Sequence, residues 1–243
     1  MNLPIYIDNK IYVDYLINVL GVPEANIVNI YPEQPSFFIY KENGLHFVIN
    51  SPQKKLIHID FLKGQMGWRL KRTDHETLLK KALGKKKDNL KILDGTAGFL
   101  SDTLIFLALG HKVIACEQSS ILFMLLNDAI NRAREELIFL KNLDLVYGNA
   151  VDIYKNKRNI DLIYLDPMYP DSKKNTARSG SMNDIKSILK IEAIKNLEDQ
   201  IFFDFKKQEF KKIVLKRPIK SKIIDTNLNY QVKGKSTRFD VYI

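Results

Sequence analysis

In the stretch NIDLIYLDPMYPDSKK, residues 159–174, an apolar run over 160–165 stops abruptly at Asp166, Pro167, Met168, Tyr169 and Pro170. The run suits a strand covered on both faces. A carboxylate, two rigid prolines and an aromatic ring then crowd one strand end. Pro167 fixes its own φ and restricts Asp166, and Pro170 limits the next turn, so the Asp166 carboxylate and the Pro167 carbonyl form a pair of acceptors that needs little reorganisation. Tyr169 offers a face on which a planar group could stack. The other reading is a rigid strand exit with Tyr169 packed underneath.

A second group of residues stands earlier in the chain. LKILDGTAGFLSDTLIFL sets Asp94, Gly95, Thr96, Ala97 and Gly98 between a strand and a helix. In an open α/β sheet, ligands sit beyond the carboxyl ends of the strands, where small residues permit close backbone approach. GTAG lacks the three spaced glycines of a dinucleotide loop, so no pyrophosphate cradle is implied. About twenty residues on, the next strand ends in Glu117, an acid suited to both hydroxyls of a ribose. The set suits an adenosine cofactor without a required pyrophosphate, and S-adenosylmethionine fits. Asp94 would face its amino-acid end, and Gly148, Asn149 and Ala150, at a third strand end, would border the adenine. The alternative is a tight strand-to-helix turn with Glu117 solvated.

Asp-Pro-x-Tyr resembles the Asp/Asn-Pro-Pro-Tyr/Phe element of methyltransferases that modify exocyclic amines of nucleobases. Such an amine is a poor nucleophile because its lone pair is delocalised into the ring. If Asp166 and the Pro167 carbonyl accept its two N–H bonds, they aim the nitrogen and stabilise the positive charge that grows during transfer. Tyr169 would stack on the flipped base.

DGTAGFLSD, IYLDPMYP with its basic continuation DSKK, VLKRP and the closing KGKSTRFDVYI, together with IDFLKGQMGWRLKR, resemble the ribosomal small subunit methyltransferase J family from about residue 59 onward. The resemblance implies a class I, Rossmann-like, S-adenosylmethionine-dependent fold. It also implies methylation of the 2-amino group of one guanine in 16S rRNA of the small ribosomal subunit. It carries cofactor contacts onto Ser101, Asp102, Glu117, Gln118, Asn149, Ala150 and Asp166. Ser101 stands where the family commonly has Arg, and Asn149 and Ala150 stand at a pair that is often hydroxylic.

RNA would need cations near that site. Lys173, Lys174 and Arg178 come after the catalytic strand, and Lys216, Arg217 and Arg238 lie near other strand ends, where they could line one rim and neutralise phosphates. Arg69 and Arg72 are expected to touch RNA, whereas Trp68 beside them is expected to anchor the front portion in the core. The net charge of +10 suits a polyanionic partner.

The elements that must position these groups emerge from the pattern. From residue 90 onward strand, turn and helix alternate, the signature of a largely parallel, doubly wound α/β sheet. The segment 119–140 reads as one long helix, 183–197 as another, and Gly234 as the turn of a terminal strand pair. Residues 1–72 read as a small β-rich portion built of short strands, with KENG as a hairpin turn, and 73–243 as the Rossmann-like domain. Thr73 and Glu76 look like the capping box of a short helix ending at Gly84.

In a chain of 243 residues that is 45% hydrophobic, a substantial core can form. As the single cysteine, Cys116 can form no internal disulfide, which suits a reducing, cytoplasmic setting, and it reads as buried packing. His46, His58, His75 and His111 lack metal-ligand spacing, so no metal is expected, and no signal peptide or membrane span is recognised. Oligomeric state is not encoded legibly. The competing functions are a DNA adenine-amine methyltransferase, for which no sizeable target-recognition domain is visible, and a noncatalytic RNA-binding module on the same fold.

Overall fold

The structure, a computed structural model, describes residues 3–50, 54–84, 89–168, 180–195 and 198–243. Strands β1 (Ile5–Ile7), β2 (Ile27–Val28), β3 (Ser36–Lys41), β4 (Gly44–Ile49) and β5 (Lys55–His58) form a five-stranded sheet in the order β2-β1-β3-β4-β5. Lys41 pairs with Gly44, so KENG is a hairpin turn, and Gly44 takes a φ of 113° that a side chain would resist. Helices interrupt the expected run of strands: α1 (Val13–Asn18) lies between β1 and β2, and α2 (Gly64–Leu70) comes after β5. The expected capping box is absent. Residues Thr73–His75 form a 3₁₀ turn ahead of α3 (Thr77–Leu83), and the Glu76 side chain is taken by Arg69 instead.

The larger sheet holds seven strands among the described residues: β6 (Lys91–Asp94), β7 (Lys112–Glu117), β8 (Leu143–Tyr147), β9 (Leu162–Leu165), β10 (Ile213–Pro218), β11 (Tyr230–Lys233) and β12 (Thr237–Tyr242). Their order is β11-β12-β10-β9-β6-β7-β8, parallel from β10 to β8 and antiparallel at β12 and β11. The chain runs outward from β6 through β7 and β8 and returns to pair β9 with the other edge of β6. That reversal opens a crevice at the carboxyl ends of β6 and β9. Helices α4 (Thr103–Ala108), α5 (Ser120–Ala133) and α7 (Gly180–Ile191) belong to one face, and α6 (Ala150–Lys155) and α8 (Gln200–Lys206) to the other. Helix α5 is shorter than the sequence pattern implies. It stops at Ala133, and a 3₁₀ turn over Ile138–Asn142 tucks Leu140 inward before β8.

One buried carboxylate joins the two sheets. Asp128 of α5, fully buried, accepts from the Tyr15 hydroxyl, from the Leu45 backbone N–H at 2.9 Å and from Arg132 Nε at 2.8 Å. Arg132 Nη2 in turn donates to the Ile59 carbonyl. Burial beside this carboxylate pushes the Tyr40 phenol up to about 12, with Asp128 the next contributor. Asp128→Ala should strand these donors and cost about 3 kcal/mol, read as a lowered urea midpoint; an unchanged midpoint would assign the junction's strength to its apolar contacts.

Candidate active site

A cavity of about 640 Å³ opens beyond the carboxyl ends of β6, β7, β8 and β9. Asp94, Gly95, Thr96, Ala97 and Gly98 line it from the loop after β6, with Gly98 at a φ of 50°. Ser101 and Asp102 line it ahead of α4, Glu117 and Gln118 where β7 ends, and Asn149 and Ala150 at the start of α6. Asp166 and Pro167 line it after β9. The N-terminal portion supplies the facing wall, through Ile59, Phe61, Met66 and Arg69 among others. Tyr169 lies outside the described residues.

Several of these groups are held by the loops they come from. Asp94, 2% exposed, accepts from the Thr96 N–H at 3.0 Å and from the Thr103 hydroxyl at 2.5 Å. Burial nevertheless pushes it up to about 7. The Thr96 hydroxyl accepts the Asp166 N–H at 2.7 Å, which ties the β6 loop to the end of β9. Asn149 caps α6 by accepting the Val151 N–H at 2.9 Å. Glu117 accepts the Ser119 N–H at 2.7 Å, and burial, with some help from Glu192, pushes it up to about 7. Cys116 is buried, its thiol driven up to about 12 by burial, which leaves it unsuited to nucleophilic work.

Sequence reasoning named Lys216, Asp102, Asp166 and Arg69 for separate roles and missed that they meet at the centre. Leu215 of β10 is in register with Leu165 of β9, so Lys216 and Asp166 occupy the next rung and extend over the same face. Lys216 Nζ lies 2.7 Å from Asp166 Oδ2 and 2.8 Å from Asp102 Oδ2. Asp102 also accepts from the Tyr164 hydroxyl at 2.5 Å and from Arg69 Nη2 at 2.8 Å. Burial opposes its charge, but Lys216 and Arg69 overcome that and hold the carboxyl well below the usual range. For Asp166 burial prevails and raises it, Lys216 pulling the other way. Glu192, just past α7, was also missed. It accepts from the hydroxyls of Ser119 and Ser120 and from the Ser120 N–H at 2.9 Å, and so pins α7 to the start of α5.

The expected RNA rim needs correction. Lys216 belongs to the interior network with Asp102 and Asp166. Arg217, 5% exposed, points to the opposite face, where Nη1 donates to Asp199 at 2.5 Å. Arg238, 3% exposed, binds Asp240 two residues along the same strand face and the carbonyls of Ser221 and Lys222. Neither reaches a rim. Arg69 is turned inward onto Glu76, Asp102 and the Ser101 carbonyl. Trp68 is not a core anchor: Met66 and Leu70 face the core, Gly67 packs on the Leu62 carbonyl, and Trp68 is left 59% exposed with the Arg72 guanidinium 4.6 Å from its ring centroid. Lys173, Lys174 and Arg178 lie outside the described residues.

A seven-stranded sheet with this order, and a cavity of this size at its switch point with an acid at the end of β7, defines a class I methyltransferase that uses S-adenosylmethionine. The residues fit that cofactor. Glu117 is a buried carboxylate raised by burial, a state relieved by hydroxyl donors such as those of a ribose. A family model described as putative SAM-dependent methyltransferase matches residues 24–243. The ribosomal RNA small subunit methyltransferase J of Desulfotalea psychrophila is 31% identical over 87% of this chain and 84% of its own length. That of Francisella philomiragia is 32% identical over 93% and 95%. A solved SAM-dependent methyltransferase from Neisseria gonorrhoeae superposes with a TM-score of 0.71 at 26% identity, covering 99% of this chain and 95% of that one. The chain belongs to the ribosomal RNA small subunit methyltransferase J family.

Among the described residues no cluster of His, Cys, Asp and Glu could hold a metal, and no helix is long and apolar enough to cross a membrane. If Glu117 receives the ribose hydroxyls, only its ionised form binds well. Cofactor affinity should then be full above pH 7 and fall by up to about tenfold per unit as the pH drops below it. Calorimetry across about pH 5.5–8.5 measures this. Glu117→Gln should bind weakly and lose the slope; a wild-type Kd that stays level below pH 7 would move the ribose elsewhere.

Proposed function

We propose that this enzyme transfers a methyl group from S-adenosylmethionine to the exocyclic 2-amino group of a guanine in 16S rRNA. The single observation that carries the reading is that Asp166 and Pro167 line the cavity at the end of β9, beside the loop that closes β6. The naming of relatives as ribosomal RNA small subunit methyltransferases supports the substrate class.

The bound cofactor supplies an electrophilic methyl carbon on a sulfonium. Asp94, the loop 95–98 and Glu117 would hold it, with Asn149 and Ala150 at the adenine side. Asp166 and the Pro167 carbonyl accept the two N–H bonds of the guanine amine, direct its lone pair outward and stabilise the charge that accumulates on nitrogen. Fixed acceptors in a partly closed cavity need no reorganisation as that charge appears, which is where most of the rate enhancement would arise. Tyr169 stacks on the flipped base.

RNA is held by charge and by stacking. The excess of basic residues draws in the phosphate backbone. Exposed Trp68 with Arg72 across its face supplies a platform for a neighbouring base. Lys173, Lys174 and Arg178 extend the same attraction along the chain after Asp166. The enzyme works in the cytoplasm, on the small subunit or its RNA.

Methyl transfer to small subunits, free 16S rRNA and naked DNA, with mapping of the modified nucleotide, tests the reading. Small subunits or rRNA that lack the modification should accept one methyl on a guanine amine. Methylated adenine in DNA, or RNA binding without transfer, would overturn it. Asp166→Ala should lower kcat by about 10²–10³-fold with the fold retained by circular dichroism; near-normal turnover would remove the acceptor role.

A further inference from the structure

Lys216 stands out among the titratable groups of the cavity because it bridges two of its carboxylates, Asp166, which the reading makes the amine acceptor, and Asp102. The fourth residue of β10, it takes its place by register with β9 rather than by a flexible reach. Its ammonium is 2.7 Å from Asp166 Oδ2 and 2.8 Å from Asp102 Oδ2, and only 27% of the side chain is exposed. Asp102 is fastened from its other sides by Tyr164 and Arg69, so it is a fixed post. Lys216 is thereby tethered between a post and the acceptor.

We propose that Lys216 is a positioning residue for the methyl-transfer reaction: by engaging Asp166 Oδ2 from the Asp102 post, it fixes the carboxylate and leaves Oδ1 to receive the guanine amine. The inference rests on the amine-methylation reading and adds a residue to it. An isolated carboxylate on the rung after β9 could rotate about χ1 and χ2, and each misplaced rotamer would lose the in-line approach of the nitrogen. An ammonium on one oxygen removes that freedom. It also keeps the acceptor ionised in a place where burial favours the neutral acid.

The charges that face Asp166 come from five elements. Lys216 projects from β10, Asp102 precedes α4, Arg69 comes from α2, Tyr164 from β9 itself and Asp94 from the end of β6. Burial raises Asp166; Lys216 and Arg69 lower it, and Asp102 raises it. Only the ionised carboxylate accepts both an ammonium and an amine N–H, so turnover is lost as the pH falls through the Asp166 pKa. Removing Lys216 raises that pKa and moves the acidic limb of the kcat profile to higher pH. Removing the Asp102 charge moves the limb the other way.

The test is kcat against pH on undermodified small subunits for the wild type, Lys216→Met, Lys216→Arg and Asp102→Asn, with cofactor Kd by calorimetry and thermal unfolding alongside. Lys216→Met should lose about 10–100-fold in kcat at pH 7, with the acidic limb raised by about 1–2 units, so that part of the loss is recovered at high pH. Its cofactor Kd should stay within about threefold of the wild type. Lys216→Arg should keep the limb near its wild-type position, because the charge remains, while kcat is only partly restored by a fork of different shape. A Lys216→Met loss that is equal at every pH, or an unchanged kcat, would overturn the proposal. If Lys216→Met fails to fold, Lys216→Gln decides: a limb shifted to higher pH upholds the coupling, and an unmoved limb refutes it. A dead Asp166→Ala beside a fully active Lys216→Met would refute this inference and leave the amine-methylation reading standing, whereas an active Asp166→Ala would remove the acceptor role and this inference with it.

Discussion

Three carboxylates, those of Asp94, Asp102 and Asp166, converge where β6 and β9 end, and the site exists because their repulsion is offset within the same space. An ammonium and a guanidinium enter that space from β10 and α2. Withdrawing several charges from water is costly, and only close pairing with remaining hydrogen bonds satisfied makes it tolerable. The arrangement sorts the three acids. Asp102 stays ionised as part of the scaffold, Asp94 is pushed toward neutrality by burial, and Asp166 is raised by burial against the pull of Lys216.

The sheet order is what brings the groups together. Because the chain reverses direction of growth at β6, the ends of β6 and β9 are neighbours in space although 70 residues separate Thr96 from Asp166. β10 then adds Lys216 on the same face one strand further along. The N-terminal sheet is not an appendage to this. Through Asp128 and Arg132 it is fastened to α5, and through α2 it delivers Arg69 to Asp102. The cavity therefore has one wall from each sheet, and the small portion contributes to the electrostatics of the larger one.

Much of this was legible in the sequence wherever the signal was local. The βαβ rhythm, the hairpin turns at KENG and Gly234 and the strand ends at Asp94, Glu117 and Asp166 all arise from short-range patterns, and those ends line the cavity. What escaped was non-local. Nothing in VLKRP announces a carboxylate 50 residues away, so Lys216 and Arg217 read as a basic rim when the strand sends them to opposite faces and both are engaged. Arg238 was recoverable: Asp240 is two residues on and therefore on the same strand face. Helix α8 was recoverable too, since Ile201, Phe202 and Phe205 recur at helical spacing. Trp68 misled because its size suggests burial, whereas its place on a short helix flanked by Met66 and Leu70 turns it outward. The 119–140 pattern overran because apolar residues continue through a 3₁₀ turn that no period distinguishes.

Gly95 is constrained from below rather than from the cavity. A side-chain carbon there would come within 2.9 Å of Leu165 Cδ2 and 3.2 Å of the Phe205 ring, both buried hydrophobic groups beneath the loop. Its lack of a side chain is thus demanded by the joint between two strands and α8, independently of any bound nucleoside. A descendant that abandoned catalysis but kept its architecture would retain this glycine under the same steric pressure. Its persistence across a lineage would report inherited packing rather than retained activity.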